Sequence, residues 1–227
     1  MTDSSSRQQI MANLHRGLNR DTDNSRAKSA VLERISQRPR STIPARSQLD
    51  HSGQVELFKA MALEAVAELL PLDSIDQLPA AVDEFMQQNQ QQQLIMASSA
   101  QLTALDWSQA THTQIKQRVV LAGDVVSLTS SFAGIAETGT LMLHSGSDSP
   151  TTLNFLSDIH LVVLQTSTIV GCYEDGWQAL RQQQSDGSWP RTVNMITGPS
   201  RSADIEQKLQ MGAHGPKRLV IFLVDDG

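Results

Sequence analysis

The chain has 227 residues with a formal net charge of −6, and 39% of its residues are hydrophobic while only 4% are aromatic. A chain of this length forms one domain, or one domain with an arm, and it buries enough aliphatic surface to fold without a metal or a disulfide. Its negative charge repels phosphate backbones at long range, which argues against nucleic-acid binding.

Residues 1–46 are expected to form a helical N-terminal arm. Apolar residues recur at helical spacing near Ser6–Leu18 and again near Ser25–Gln37. The segment RPRSTIPARS then brings in two prolines, which end the helical pattern. We therefore expect an α/β domain to occupy residues 47–227.

Two amphipathic helices are predicted at the start of this domain. From His51 to Leu70, apolar side chains fall on one helical face. A second helix is predicted over Ile75–Gln90, with Pro79 in its first turn, where its missing N–H costs no hydrogen bond.

Beyond residue 93 the pattern changes to short apolar runs separated by Gly, Ser, Asp and Pro. Continuous runs of this kind are typical of strands that are buried on both faces of a parallel sheet. Helices are predicted between some of them, at Gly176–Gln184 and Ser202–Met211, so the fold class is α/β, a mostly parallel sheet flanked by helices. The predicted strands are Leu94–Ala97, Arg118–Ala122, Val125–Leu128, Thr140–Leu143, Ile159–Leu164, Thr192–Ile196 and Leu219–Val224.

The sequence IAETGTL contains the first candidate site. Gly139 allows a sharp turn or a close approach to a ligand, and Thr138 and Thr140 add hydroxyl groups. Glu137 is a candidate base, nucleophile or hydrogen-bond acceptor. The alternative is an ordinary loop in which this carboxylate is solvated or caps a helix.

The sequence TGPSRSADIE contains the second candidate site. It follows a predicted strand and opens a predicted helix, so free backbone N–H groups and Arg201 are expected to favour an anion near Gly198, Pro199 and Ser200. The alternative is simple capping by a serine, with Asp204 and Glu206 complementing the helix dipole.

A third segment, GAHGPKR, leads into the last predicted strand. Its His214 is a candidate proton donor or ligand contact, and the alternative is a histidine that only ties the loop together.

The single cysteine, Cys172, cannot form an internal disulfide and cannot supply the several thiolates of an iron–sulfur cluster. Neither His144 nor His160 has a second His or Cys at ligand spacing, so no metal site and no cofactor of the chain's own is predicted. The N-terminus lacks the apolar segment of a secretory signal, and no apolar run approaches about 18 residues. We therefore expect a cytoplasmic protein that does not span a membrane.

The segments IAETGTL, SDIHLVVL and TGPSRSADIEQKLQMGAHGPKRLVIFLV, in this order, resemble the LUD-domain family, and within it the lactate-utilisation protein C type. The resemblance covers about residues 50–227. It implies a fold similar to the sugar-phosphate isomerase and CoA-transferase superfamily. It also implies a subunit without a cluster that works with two iron–sulfur partner proteins in the oxidation of L-lactate to pyruvate.

The resemblance also groups the candidate site residues in two loops. Glu137 is placed as the candidate catalytic carboxylate, because a glutamate accepts the acyl group in the CoA-transferase relatives, although the nucleophile's role is not carried over. Where many relatives have an Arg and a Pro, this chain has Thr151 and Ser157, so an anion contact from the first of these positions is not expected. The candidate ligand-binding residues are Thr138, Gly139, Thr140, Gly198, Pro199, Ser200, Arg201, Asp204 and His214.

Two alternative functions are also consistent with the sequence. One is a stand-alone enzyme acting on a small acyl or phosphorylated substrate, which rests on analogy at the level of the fold. The other is a module that binds a small carboxylate or a sugar phosphate without chemistry, and this function is compatible with the subunit.

Overall fold

A computed structural model of the chain describes residues 3–18, 25–184, 187–202 and 210–226. The chain divides into two compact units, Met1–Thr42 and Ile43–Gly227. This division lies a few residues before the boundary expected from the sequence. The first unit contains helices α1 (Asp3–Gly17) and α2 (Ser25–Gln37), close to the positions that their apolar spacing predicts.

The second unit contains the remaining elements. Its helices are α3 (His51–Glu64), α4 (Leu78–Gln88), α5 (Ala100–Thr103), α6 (Thr152–Phe155) and α7 (Tyr173–Gln183). Its strands are β1 (Glu68–Leu72), β2 (Gln93–Met96), β3 (Gln114–Lys116), β4 (Val126–Ser130), β5 (Ala133–Ile135), β6 (Thr140–His144), β7 (Ile159–Gln165), β8 (Ile169–Val170), β9 (Val193–Ile196), β10 (Arg201–Ser202), β11 (Gln210–Met211) and β12 (Arg218–Val224).

A six-stranded sheet with the order β1-β12-β7-β4-β2-β3 forms the centre of this unit, and all of its pairings are parallel. Alternate residues of its central strands enter different cores. Leu161 and Phe222 pack with α4, whereas Val162 and Ile221 pack with α3 and β6. Burial on both faces explains why these strands read as continuous apolar runs, and the predicted α/β class is confirmed.

The sequence predicts helices on both faces of the central sheet, but a second sheet covers part of one face. It has four strands in the order β8-β5-β6-β9, with antiparallel pairings of β6 to both β5 and β9. Helix α7 packs on its outer side through Leu180, which contacts Ala133 and Met142. Both predicted site loops belong to this smaller sheet, since one joins β5 to β6 and the other follows β9.

Three predicted elements are wrong. The helix that begins at His51 ends at Glu64, and the following apolar residues form strand β1. The run Arg118–Ala122 is a loop, and the neighbouring strand is β3. The helix predicted over Ser202–Met211 is replaced at both ends by β10 and β11, which pair as an antiparallel ribbon, and residues 203–209 lie outside the described residues.

Helix α4 carries Pro79 in its first turn, as the sequence predicts. Across the described ranges, no helix is long and apolar enough to cross a membrane.

Candidate functional site

The two predicted site loops are neighbours in the smaller sheet. Strand β6 runs antiparallel to β9 with Leu141 opposite Ile196. This register places Thr140, at the start of β6, beside Thr197, just past the end of β9. Their hydroxyl oxygens lie 2.6 Å apart, so the IAETGTL and TGPS segments share a direct hydrogen bond.

A hydroxyl cluster, made of Thr138, Thr140, Thr197 and Tyr173, fixes the first loop. The hydroxyl of Tyr173 lies 2.9 Å from that of Thr138 and 3.0 Å from that of Thr140. The two threonine hydroxyls are themselves 2.7 Å apart. These hydroxyl groups hydrogen-bond to one another, which gives Thr138 and Thr140 a structural role in holding the loop. Their predicted role as ligand contacts stays a prediction.

Gly139 and Gly198 are required by packing against the end of α3. Both have a positive φ, of 63° and 68°, which side chains rarely adopt. A Cβ on Gly139 would lie 2.3 Å from the backbone nitrogen of Ala62, and one on Gly198 would lie 2.0 Å from the carbonyl oxygen of Ala65. Both loops are thus seated on the last turn of one helix.

Glu137 is buried, with 7% of its surface exposed. Its backbone N–H donates to the carbonyl of Gly171 at 3.0 Å, whereas its Oε2 atom has no hydrogen-bond partner. Most buried polar atoms are paired, so an unpaired carboxylate oxygen calls for an explanation such as a ligand contact. The catalytic role of Glu137 stays a prediction.

A cavity of about 240 Å³ opens beside the second loop. We call it the His160 cavity. The predicted residues Gly198, Pro199, Ser200 and His214 line it together with residues that the sequence did not single out as ligand contacts, among them Asn154 and His160. Thr197 lines it as well, and so connects the hydroxyl cluster to the cavity.

Ser200 holds one wall of the His160 cavity together. Its backbone N–H donates to the carbonyl of Pro216, and its own carbonyl accepts from the N–H of Gly212, both at 2.8 Å. Its hydroxyl oxygen also accepts from the N–H of His214 at 3.2 Å. Two segments that are separate in the sequence, TGPS and GAHGP, are therefore joined into one wall.

Two buried polar side chains at the cavity have an unpaired atom. His160 is fully buried, and its Nε2 lies 2.8 Å from the hydroxyl of Thr129, while its Nδ1 has no partner. Asn154 is 3% exposed, and its Oδ1 has no partner. Burial lowers the pKa of His160 to about 3, so its ring is neutral near pH 7.

The anion site expected at the TGPSRSADIE segment stays a prediction. Arg201 and Ser202 pair with Met211 and Gln210 as strands, so no helix begins at these two residues. Arg201 is exposed and does not line the cavity. Asp204 and Glu206 lie outside the described residues.

The position of the cavity in the sheet differs from the usual position of a ligand site in an open α/β sheet. Ligands in open α/β sheets favour the carboxyl ends of the strands. Here the lining residues His160 and Leu219 are the second residues of β7 and β12, so the cavity lies at the amino ends of these strands. The reason is that the TGPS turn, which follows β9 of the smaller sheet, lies at these amino ends.

Neither a metal cluster nor a reactive thiol is present in the part of the chain that the structure describes. No group of three or more His, Cys, Asp and Glu side chains there could hold a metal ion. Cys172 is buried, its thiol donates to Asp175 at 3.1 Å, and burial raises its pKa. This environment favours an inert thiol.

Comparison with known proteins gives a family match over most of the chain. Residues 55–224 match the LUD domain family. Lactate utilization protein C of Macrococcus caseolyticus is 35% identical over 102 residues, which are 44% of this chain and 44% of that protein. Lactate utilization protein C of Bacillus subtilis is 36% identical over 102 residues, 44% of this chain and 42% of that protein. The matched part is less than half the length of each relative.

A solved structure shares the fold. The crystal structure of a DUF162 family protein from Deinococcus radiodurans superposes with a TM-score of 0.57, covering 78% of this chain and 99% of that chain, at 20% sequence identity. At this identity the likeness concerns the fold alone, and it agrees with the parallel sheet flanked by helices.

Proposed function

Because this chain belongs to the LUD domain family, we propose that it acts in lactate utilisation. Specifically, it is a cytoplasmic subunit, without a cluster of its own, of a system that oxidises L-lactate to pyruvate. The observation that carries this proposal is its similarity to relatives named lactate utilization protein C.

The proposed roles of the subunits are consistent with the chemistry of the reaction. Oxidation of L-lactate to pyruvate removes two electrons and two protons, so an electron acceptor is required. This chain has one cysteine, which cannot provide the thiolate set of an iron–sulfur cluster. The resemblance to lactate-utilisation proteins implies that two iron–sulfur partner proteins take the electrons, and we propose that this chain supplies binding or assembly.

A gene deletion tests the proposal. In a strain whose other lactate dehydrogenases have been removed, loss of this chain abolishes growth on L-lactate and leaves growth on pyruvate unchanged. Restoring the wild-type gene restores growth, and anaerobic affinity purification of the tagged chain recovers two iron–sulfur proteins. Normal growth of the deletion strain on L-lactate contradicts the proposal.

A binding role within this system is favoured by the His160 cavity, which is lined by residues from three separate sequence segments. A subunit that binds the small carboxylate without holding the redox centre is consistent with both the cavity and the single cysteine.

A further inference from the structure

The two helices of the N-terminal unit share one pattern of side chains. In each helix, a basic residue is followed by apolar residues at the spacings i+3, i+4 and i+7, so all four side chains lie on one face. In α1 these residues are Arg7, Ile10, Met11 and Leu14, and in α2 they are Lys28, Val31, Leu32 and Ile35. We call these faces the Arg7 stripe and the Lys28 stripe.

All six apolar side chains of the two stripes are exposed. Their exposed fractions range from 44% for Val31 to 66% for Leu32, and no residue of α2 is buried. Contiguous exposed apolar surface of this kind commonly marks a site of contact with a protein or a membrane.

The charge of the N-terminal unit is opposite in sign to that of the α/β unit. Residues 1–42 contain eight of the 18 Lys and Arg residues and four of the 24 acidic residues, which gives a net charge of +4, whereas residues 43–227 carry −10. Between residues 25 and 40 there are five basic residues and one acidic residue, Glu33, which points away from the Lys28 stripe. At physiological salt, charges are screened beyond about 8–10 Å, so the local positive charge favours a negatively charged partner.

The position of Lys28 distinguishes between two kinds of partner. Lys28 points in nearly the same direction as Ile35, because seven residues make almost two helical turns. In a seam between two copies of the arm, its ammonium group would lie in apolar surroundings, and the stripe of the other copy would supply no negative charge. At a bilayer surface, the long side chain instead extends past its apolar neighbours and places its charge among the headgroups. Arg7 holds the equivalent position in α1.

We propose that the N-terminal arm binds the surface of a bilayer that contains anionic lipids, with α2 lying in the plane of the interface. The apolar side chains of the Lys28 stripe enter the boundary between headgroups and acyl chains. Lys28, Arg34 and Arg38 contact the lipid phosphates, since Arg34 and Arg38 follow Val31 and Ile35 by three residues. The attachment is peripheral and depends on salt, and it does not rest on the proposed function in lactate utilisation.

Sedimentation of the full chain with vesicles tests this binding. At low salt, vesicles of equal parts phosphatidylglycerol and phosphatidylcholine bind the chain at least about tenfold more strongly than vesicles of phosphatidylcholine alone, because the basic residues of the arm are attracted to the anionic surface. Raising the salt to about 0.5 M lowers the affinity for the anionic vesicles about tenfold, because it screens this attraction.

Two substitutions in the Lys28 stripe separate its apolar and charged contributions. Leu32→Ser leaves the charge unchanged and lowers the affinity for anionic vesicles about fivefold. Lys28→Glu reverses one charge and lowers this affinity about tenfold. Because no residue of α2 is buried, both variants keep the thermal unfolding midpoint of the wild type.

The matched controls make the same chemical changes on exposed residues outside the arm. Leu63→Ser removes an exposed leucine from α3, and Arg191→Glu reverses an exposed charge in the segment before β9. Both controls keep the wild-type affinity for anionic vesicles, because neither residue belongs to the arm. They distinguish binding by the Lys28 stripe from an effect of overall hydrophobicity or net charge.

Three results would overturn the inference. They are equal affinity for the two kinds of vesicle, no binding to anionic vesicles at low salt, and wild-type affinity of both Leu32→Ser and Lys28→Glu. Light scattering tests the alternative partner, since a wild-type dimer that Leu32→Ser converts to a monomer, without vesicle binding, would assign the stripe to a second copy. Growth of the deletion strain on L-lactate is independent of all these outcomes, so the proposed function and this inference fail separately.

Discussion

Two buried polar regions of the α/β unit differ in how completely their groups are paired. In the first, which we call the Asp124 corner, the carboxylate accepts two hydrogen bonds from Arg118, at 2.6 and 2.8 Å, one from the N–H of Leu121 at 2.6 Å and one from the amide of Gln93 at 2.7 Å. In the His160 cavity, by contrast, both buried polar side chains keep one atom unpaired.

The complete pairing at the Asp124 corner indicates a structural role. The Asp124 corner closes the loop between β3 and β4, and the hydrogen bonds from Arg118 lower the pKa of Asp124 to about 2. Its side chain is 5% exposed, and both of its oxygens are bonded, so it offers little to a ligand. The unpaired atoms beside the His160 cavity, Oδ1 of Asn154 and Nδ1 of His160, are themselves enclosed and have almost no accessible surface.

The largest expected effect comes from disturbing the cavity wall at its glycine. Gly198→Ala places a Cβ about 2.0 Å from the carbonyl oxygen of Ala65 at a φ of 68°. The clash and the left-handed backbone together lower the free energy of unfolding by about 3–5 kcal/mol, measured by urea denaturation. Gly123→Ala is the matched control, because Gly123 has a φ of 93° and an open surrounding. It costs about 1–2 kcal/mol for the backbone alone.

Equal losses in Gly198→Ala and Gly123→Ala would show that the seat of the TGPS turn on α3 adds nothing beyond the backbone conformation. The cavity wall would then be free to shift, and contacts other than the packing of Gly198 on α3 would have to hold Ser200 in place.

The fold could be predicted from the sequence wherever one pattern dominates. Strands β7 and β12 are buried on both faces and read as continuous apolar runs. Strand β1 was missed, because its residues continue the apolar spacing of α3 and short apolar runs do not distinguish helix from strand. The second sheet was missed since pairing between distant strands, such as β6 with β9, leaves no local signal.

The candidate site was predictable only where its residues are contiguous in the sequence. Pro199, Ser200 and His214 stand out as parts of unusual turns, and the structure places all three at one cavity. Asn154 and His160 were not predicted to line a cavity, because an asparagine in a short helix and a histidine in an apolar strand look like ordinary core residues. Whether their polar atoms find hydrogen-bond partners depends on segments that are distant in the sequence, so it cannot be read from the local pattern.

Acid titration provides the next sharpest test of the comparison. The pKa of His160 is lowered from 6.5 to about 3 by burial, so the unfolded chain binds a proton between these values and the folded chain does not. Stability is therefore lost as the pH falls below 6.5. Between pH 6.5 and 4.5 this loss amounts to about 2–3 kcal/mol, and His160→Gln removes it from the pH dependence of urea denaturation.

Asp124 provides the control for this titration. Its pKa is lowered from 3.8 to about 2, mainly by the hydrogen bonds from Arg118, so its contribution is complete above pH 3.8 and is lost as the pH falls toward 2. Asp124→Asn lowers stability at neutral pH and leaves the slope between pH 6.5 and 4.5 unchanged. Identical slopes for His160→Gln and the wild type would refute the burial of a neutral histidine at the cavity.

The smallest effect concerns the strain next to the cavity wall. Helix α3 ends with the N–H of Ala67 donating to the carbonyl of Ala62 and that of Val66 donating to Leu63, both at 2.9 Å. In this termination the residue with positive φ is usually glycine, but here it is Val66, with a φ of 68°. A β-branched residue is strained in this conformation.

Val66→Gly is therefore expected to stabilise the chain. Val66 is 55% exposed, so its side chain loses little buried surface on removal. Relief of strain outweighs the greater freedom of glycine in the unfolded chain, and the free energy of unfolding rises by about 0.5–1 kcal/mol. Val66→Ala, which keeps the Cβ but not the branch, gains less. A loss of stability in Val66→Gly would mean that the exposed valine packs favourably in the folded chain, and strain at the α3 end would then not distinguish the cavity side from the Asp124 corner.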